Sequence, residues 1–227
     1  MTEAEWLAAE FFPPMLDHIY ERATTRQYLL LGVAFCRRIW ERIPFDDCRE
    51  VVEATERLAD HPHVNEDDGT VATDVAMLSA GLFEGYHREQ DVGEHTRGAY
   101  LAAMACGGIW YDATASIHSI AESAAIAVAG DNEGPEWEAE RQSQVKLLQE
   151  LFGNPFRPVA FDPASRSETA VALAAGIYAE RAFDRLPILA DALEEAGCDH
   201  ADVLAHCRGP GPHARGCWVV DRVLGKQ

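Results

Sequence analysis

Apolar residues recur at helical spacing through almost the whole chain, and this periodicity restricts the fold more than any other feature. It is clearest after Pro44, where the i, i+3, i+4, i+7 pattern is carried by Cys48, Val51, Val52, Thr55, Leu58 and Ala59. Only residues 158–161 resemble an extended strand. The 36 alanines add intrinsic helix propensity. The sequence therefore predicts an all-α fold, a bundle of roughly eight to eleven helices.

A proline-rich segment near residue 155 divides this helical pattern. Gly153-Asn154-Pro155-Phe156-Arg157-Pro158 cannot continue a helix, because proline lacks the amide hydrogen and clashes with the preceding turn. Helical spacing resumes only after Pro163. We therefore expect an N-terminal helical bundle over residues 1–153 and a smaller C-terminal helical unit over residues 154–227, either independent or docked as one domain.

The charge of the chain restricts its partners. Thirty-eight acidic residues stand against 19 basic ones, for a formal charge of −19. Binding to nucleic acid or to anionic membranes needs clustered Lys and Arg, so we expect neither. No apolar run approaches the roughly 20 residues of a membrane span, and the acidic start is unlike a signal peptide. Six cysteines without a secretory signal fit reduced thiols, so we expect a cytoplasmic protein.

Several stretches of the chain resemble a bacterial protein family. They are the opening Met1-Thr2-Glu3-Ala4-Glu5-Trp6-Leu7 with Cys36-Arg37-Arg38-Ile39-Trp40, the central Phe152-Gly153-Asn154-Pro155-Phe156-Arg157-Pro158, residues 181–197, and the ending Arg208-Gly209-Pro210-Gly211-Pro212-His213-Ala214-Arg215-Gly216-Cys217-Trp218-Val219-Val220-Asp221. The resemblance covers most of the chain outside residues 62–140. The family has no established activity, so the resemblance implies no function.

The C-terminal residues contain a candidate zinc site. Zinc prefers four thiolate or imidazole ligands in a tetrahedron, and such a set is available from Cys198, Cys207, His213 and Cys217. The spacing lacks the C-x₂₋₄-C element of common zinc modules. Adjacent His206 and Cys207 would point about 100° apart on a helix, so at most one of them joins the site. The alternative is that these thiols pack as small apolar side chains and the protein binds no cofactor.

A second metal hypothesis uses residues of the N-terminal bundle. Glu84-x-x-His87 is half of the element that di-iron helical bundles use twice, and His118 with Glu122 is the nearest second half. Cys106 has the small neighbours of a nucleophile but lies in an apolar stretch, which favours an inert thiol. Because no nucleophile motif or phosphate-binding loop is present, the sequence favours a protein that is not an enzyme.

Acidic residues concentrate after Pro44, which suggests a surface for a basic partner. The expected contact residues are Asp47, Glu50, Glu53 and Glu56. The locally basic C-terminal segment adds His213 and Arg215 as candidates for binding an anion or an acidic peptide. We therefore expect a cytoplasmic protein-interaction module, an adaptor or neutralising partner of another protein. The alternative is a metal-binding protein, or a metal-dependent enzyme, that uses the Cys/His or the Glu/His residues.

Overall fold

All regular structure in the described part of the chain is helical, so the all-α class is confirmed. The computed structural model describes residues 1–43, 45–61, 81, 93–109, 112–160, 162 and 165–226. Their eleven α-helices are α1 (Glu3–Leu7), α2 (Pro13–Ile19), α3 (Thr25–Arg38), α4 (Asp46–Ala59), α5 (Glu94–Gly107), α6 (Ala113–Ala129), α7 (Pro135–Phe152), α8 (Glu168–Glu180), α9 (Leu186–Glu195), α10 (Ala201–Arg208) and α11 (Trp218–Leu224). None of these helices is long and apolar enough to cross a membrane.

The chain forms two compact units whose limits differ from the expected division at 153/154. The N-terminal unit contains Met1 and the described residues of Ala8–Val145. The C-terminal unit contains Thr2–Leu7 and the described residues from Lys146 onward, so the division falls inside α7. Helix α1 belongs to the C-terminal unit because its Trp6 indole N–H donates to the Gly153 carbonyl over 3.1 Å.

Helix α3 lies at the centre of the N-terminal unit. A capping box starts it, since the Thr24 hydroxyl accepts from the Gln27 amide and the Gln27 side chain accepts from the Thr24 amide. Its residues are buried on every face, and it packs against α4, α5 and α6. At its end, Arg38 donates twice to the buried carboxylate of Glu140 on α7, at 3.1 and 2.9 Å. The helix is therefore held by both apolar packing and a paired charge.

Helices α5 and α6 pack with their backbones in close approach. A Cβ atom built on Gly98 of α5 would lie 2.5 Å from the Ala127 amide nitrogen and 2.7 Å from the Ser123 carbonyl oxygen of α6. Both neighbours are backbone atoms, which cannot move aside as a flexible side chain would. Only glycine therefore fits at this crossing.

The core of the C-terminal unit is formed by α8, α9, α10 and α11. Helix α11 packs mainly against α8, while α9 packs against both α8 and α10. The buried apolar residues of this core include Ile177, Leu186, Leu189, Leu193, Val203, Val219, Val220 and Val223. The tail of the chain is therefore part of the core, and the residues that precede α11 are held at defined positions.

We expect Gly98→Ala to destabilise the protein by about 1–3 kcal/mol, because the added methyl group must push α5 away from α6. The matched control is Gly176→Ala in α8, where a Cβ atom meets nothing within 4 Å. That change should be neutral, or stabilising by up to about 1 kcal/mol, through helix propensity alone. Chemical denaturation of both variants measures the difference. Equal stabilities would contradict the close approach of the two helices.

Candidate metal centre

Four side chains with metal-binding atoms converge in the C-terminal unit: Glu150, His206, His213 and Cys217. Taking one ligand atom from each, all four atoms lie within 4.8 Å of one another. Two of the residues, His213 and Cys217, belong to the zinc set expected from the sequence. The structure adds Glu150 and His206 to them, and leaves Cys198 and Cys207 outside the cluster.

Each of the four residues is positioned by a different part of the unit. Glu150 lies in the last turn of α7 and His206 in the last turn of α10. Cys217 is the residue immediately before α11. His213 is carried by the loop that joins α10 to α11, where Gly211 has a φ of +81°. A Cβ atom on Gly211 would lie 2.9 Å from the His213 amide nitrogen, so a glycine at this turn lets His213 approach the cluster.

The carboxylate of Glu150 is the centre of the cluster. Only 3% of its side chain is exposed, and both of its oxygens face His213 Nδ1, at 3.2 and 3.1 Å. The Nε2 atom of His206 lies 3.2 Å from Oε2. Burial raises the pKa of Glu150, but the hydrogen bonds from His206 and His213 outweigh it, so the net pKa lies below its ordinary value. Glu150 is therefore ionised inside the protein.

The partners of His213 favour its protonated, imidazolium form. Its Nδ1 faces the Glu150 carboxylate, and its Nε2 lies 3.3 Å from the Gly209 carbonyl oxygen. Both partners are acceptors, so both ring nitrogens donate. Burial lowers the pKa of His213, but its bond to Glu150 outweighs this, and the net pKa is raised. The pair is thus a buried carboxylate and a buried cation, with no net charge.

Trp218 determines which nitrogen of His206 carries a proton. The indole Nε1–H of Trp218 donates to His206 Nδ1 over 3.1 Å. An indole N–H can only donate, so Nδ1 accepts and the ring proton of His206 is on Nε2. That Nε2 atom is 3.2 Å from Cys217 Sγ as well as from the Glu150 carboxylate.

The thiol of Cys217 is buried and protonated in the metal-free site. Burial and the neighbouring charge of Glu150 raise its pKa well above the ordinary value. A catalytic Cys–His pair needs an accessible thiol and a third group that orients the imidazole by accepting from its far nitrogen. Here the far nitrogen of His206 meets the donor Trp218 instead. The arrangement therefore does not support a nucleophilic role for Cys217.

The four donor atoms suit a tetrahedral zinc ion. One carboxylate oxygen, two imidazole nitrogens and one thiolate sulfur are all zinc ligands, and bonds of 2.0–2.3 Å place tetrahedral ligand atoms ~3.3–3.8 Å apart. The Nε2 atom of His206 lies 3.2 Å from both Cys217 Sγ and Glu150 Oε2. The Nδ1 atom of His213 lies 3.1 Å from Glu150 Oε2. The Gly209 carbonyl also accepts from the far nitrogen of His213, as is usual for a metal-bound histidine.

The other candidate metal ligands of the sequence do not gather among the described residues. Cys207 is buried, and burial raises the pKa of its thiol to about 12. In the N-terminal unit, Glu122 is exposed, while the ring of His118 lies 5.4 Å from that of Phe12. Glu84 and His87 lie outside the described residues. Cys106 is buried, as expected of an inert thiol, and is not part of a disulfide.

The acidic contact residues fall into two groups on α4. Asp47, Glu50 and Glu53 are exposed. Glu56 is only 2% exposed and receives a 2.7 Å hydrogen bond from Arg37 of α3, so it does not belong to the exposed face. The sequence pattern did not separate Glu56 from its neighbours, because a paired buried acid and a solvated one have the same spacing.

The two basic candidates near the C-terminus are bound within the C-terminal unit. His213 contacts Glu150, as described above. The Arg215 guanidinium donates to the Tyr178 carbonyl over 3.1 Å and lies over the Tyr178 ring at 4.6 Å. Both side chains therefore have intramolecular partners.

Comparison with other proteins adds no information about this site. No family model matches the chain, and searches of curated proteins and of solved structures find no match either.

We expect the metal-free protein to be most stable between about pH 4.5 and 6.5. The pKa of Glu150 is lowered in the folded protein. Its contribution to the stability of the fold is therefore lost as the pH falls below the ordinary pKa of 4.5 and through the folded pKa. The pKa of His213 is raised in the folded protein. Its contribution to the stability of the fold is therefore complete below about pH 6.5 and is lost as the pH rises through the folded pKa.

Urea unfolding of chelator-treated protein across this pH range tests that expectation. The variant His213→Gln should lose the decline on the alkaline side, because it has no imidazolium to deprotonate. An unchanged alkaline decline in this variant would show that another group is responsible.

Proposed function

We propose that this protein binds one zinc ion in its C-terminal unit through Glu150, His206, His213 and Cys217. The observation that carries the proposal is the approach of four ligand atoms, from one carboxylate, two imidazoles and one thiol, to within 4.8 Å of one another. Zinc is favoured over magnesium or calcium because those ions require oxygen ligands, whereas this site offers sulfur and nitrogen.

The charge balance of the site supports a divalent ion. Without metal, the carboxylate of Glu150 and the imidazolium of His213 cancel. With Zn²⁺ bound, the carboxylate and the Cys217 thiolate together cancel the two positive charges. Both states leave the interior neutral, which avoids the large cost of an unpaired buried charge. Metal binding replaces the protons of His213 and Cys217 without creating a net charge.

The proposed role of the ion is structural. All four tetrahedral positions are filled by protein side chains, so no position is open for water or substrate. The ligands come from the ends of α7 and α10, from the loop after Gly209 and from the start of α11. A single ion would therefore join the end of α7 to three ligands of the segment 206–217, which is distant from it in sequence. This supports a stabilising ion rather than a catalytic one.

Metal analysis of the tag-free protein should find about one zinc per chain, and removal of zinc should lower the melting temperature. We expect Cys217→Ser to weaken zinc binding at least ~100-fold, more than the loss of an outer-shell contact. The matched control is Cys198→Ser, a buried thiol of the same unit outside the cluster, which should bind zinc as the natural chain does.

Two results would overturn the proposal. One is protein that takes up no zinc, even after reconstitution. The other is equal zinc affinity in Cys217→Ser and the natural chain.

The exposed acidic face of α4 favours a second role, that of a cytoplasmic protein-interaction module. Asp47, Glu50 and Glu53 are exposed on one helix and can face a basic protein, while Glu53 also lies 3.8 Å from the Arg37 guanidinium. The six free thiols fit the reducing cytoplasm that this role assumes. The two roles are compatible, because the acidic face and the four-residue site use different residues.

A basic partner held by this face should be retained at low salt and released at high salt, since exposed charges are screened over about 8 Å at physiological ionic strength. The triple variant Asp47→Asn, Glu50→Gln, Glu53→Gln should lose the partner at low salt as well. Capture from native lysate on the natural chain and on the variant measures this. A partner that both proteins retain equally would show that the face is not the contact surface.

A further inference from the structure

The hydrogen bond between Trp218 and His206 conflicts with metal binding. A neutral imidazole has one N–H group, and the Trp218 donor occupies the lone pair of His206 Nδ1. The ring proton is consequently on Nε2, which is the atom that faces Glu150 and Cys217. To bind a metal, Nε2 must instead offer its lone pair, and the ring proton must move to Nδ1. The N–H groups of Trp218 Nε1 and His206 Nδ1 would then point at each other, with 3.1 Å between the two nitrogens.

The surroundings of Trp218 give the indole room to move. Its side chain is partly buried and lines a cavity of about 210 Å³ within the C-terminal unit. Gly153 forms part of the cavity wall beside the ring, and a Cβ atom on that glycine would lie 3.2 Å from the indole. The indole therefore packs directly against the Gly153 backbone, and the space available to it is that of the cavity. Its ring plane lies 59° from that of His206, with 5.2 Å between the ring centres.

We propose that Trp218 is a positioning residue that sets the metal affinity of the site by holding His206 in the tautomer that cannot bind metal. The inference depends on the proposed zinc function. Binding breaks the hydrogen bond from Trp218 to His206, and the ring proton of His206 moves from Nε2 to Nδ1. The indole then turns into the adjacent cavity. The ring keeps one proton throughout, so this step neither releases nor consumes protons.

The test compares Zn²⁺ affinity between the natural chain and Trp218→Phe, which keeps an aromatic ring but has no N–H. Removing the competing hydrogen bond should tighten Zn²⁺ binding about 10-fold, since a net hydrogen bond is worth roughly one power of ten in affinity. The control is Trp6→Phe, which removes another indole hydrogen bond of the same unit, to the Gly153 carbonyl. Its Zn²⁺ affinity should be unchanged. A purely structural role of Trp218 predicts weaker or unchanged binding in Trp218→Phe, and either result overturns the proposal.

A measurement on the natural chain covers the case in which Trp218→Phe does not fold. The assigned indole N–H resonance of Trp218 should move upfield on adding Zn²⁺, and its exchange with solvent should accelerate, because the proton loses its acceptor. A resonance that stays at its metal-free position in the zinc-bound protein overturns the role of Trp218. Failure of the natural chain to bind Zn²⁺ at all instead overturns the zinc proposal, so the two failures are distinguishable.

Discussion

The C-terminal unit depends on one buried carboxylate. Glu150 is almost fully enclosed, and an ionised group in that position is stable only when other groups supply positive charge and hydrogen bonds. His213 supplies both, and His206 supplies a further hydrogen bond. These two histidines come from different segments. The need of the buried carboxylate for charge and hydrogen bonds therefore holds together the end of α7, the end of α10 and the loop before α11. Apolar packing fills the rest of the unit.

The same four residues satisfy two chemical states. In one, protons on His213 and Cys217 complete a hydrogen-bonded network around Glu150. In the other, which is the zinc-bound state that we propose, a divalent ion would take the place of those protons. The negative charges of Glu150 and of the Cys217 thiolate would balance the two positive charges of the ion, so the interior would stay neutral. The far nitrogen of His213 is already hydrogen-bonded to the Gly209 carbonyl.

Periodicity was sufficient to predict the all-α fold, because helical spacing of apolar residues is a local property of the chain. Half of the cluster was also predictable, since His213 and Cys217 are only four residues apart in the sequence. The choice between His206 and Cys207 was not predictable, because neighbouring helical residues face different directions and only packing decides which one faces inward. Glu150 lies 63 residues before His213 and has no spacing that marks it. The membership of α1 in the C-terminal unit likewise depends on residues far apart in sequence, since Trp6 contacts Gly153.

The distribution of cysteines gives each unit its own chemical reporter. All six thiols are free and buried, three in the N-terminal unit (Cys36, Cys48 and Cys106) and three in the C-terminal unit (Cys198, Cys207 and Cys217). A thiol reagent in solution reaches such a side chain only when the surrounding structure opens, so the labelling rate of each thiol measures how often its own region unfolds. Peptide mapping after brief labelling therefore separates the opening of one unit from that of the other. Bound metal would slow labelling of Cys217 beyond that of its two neighbours in the same unit.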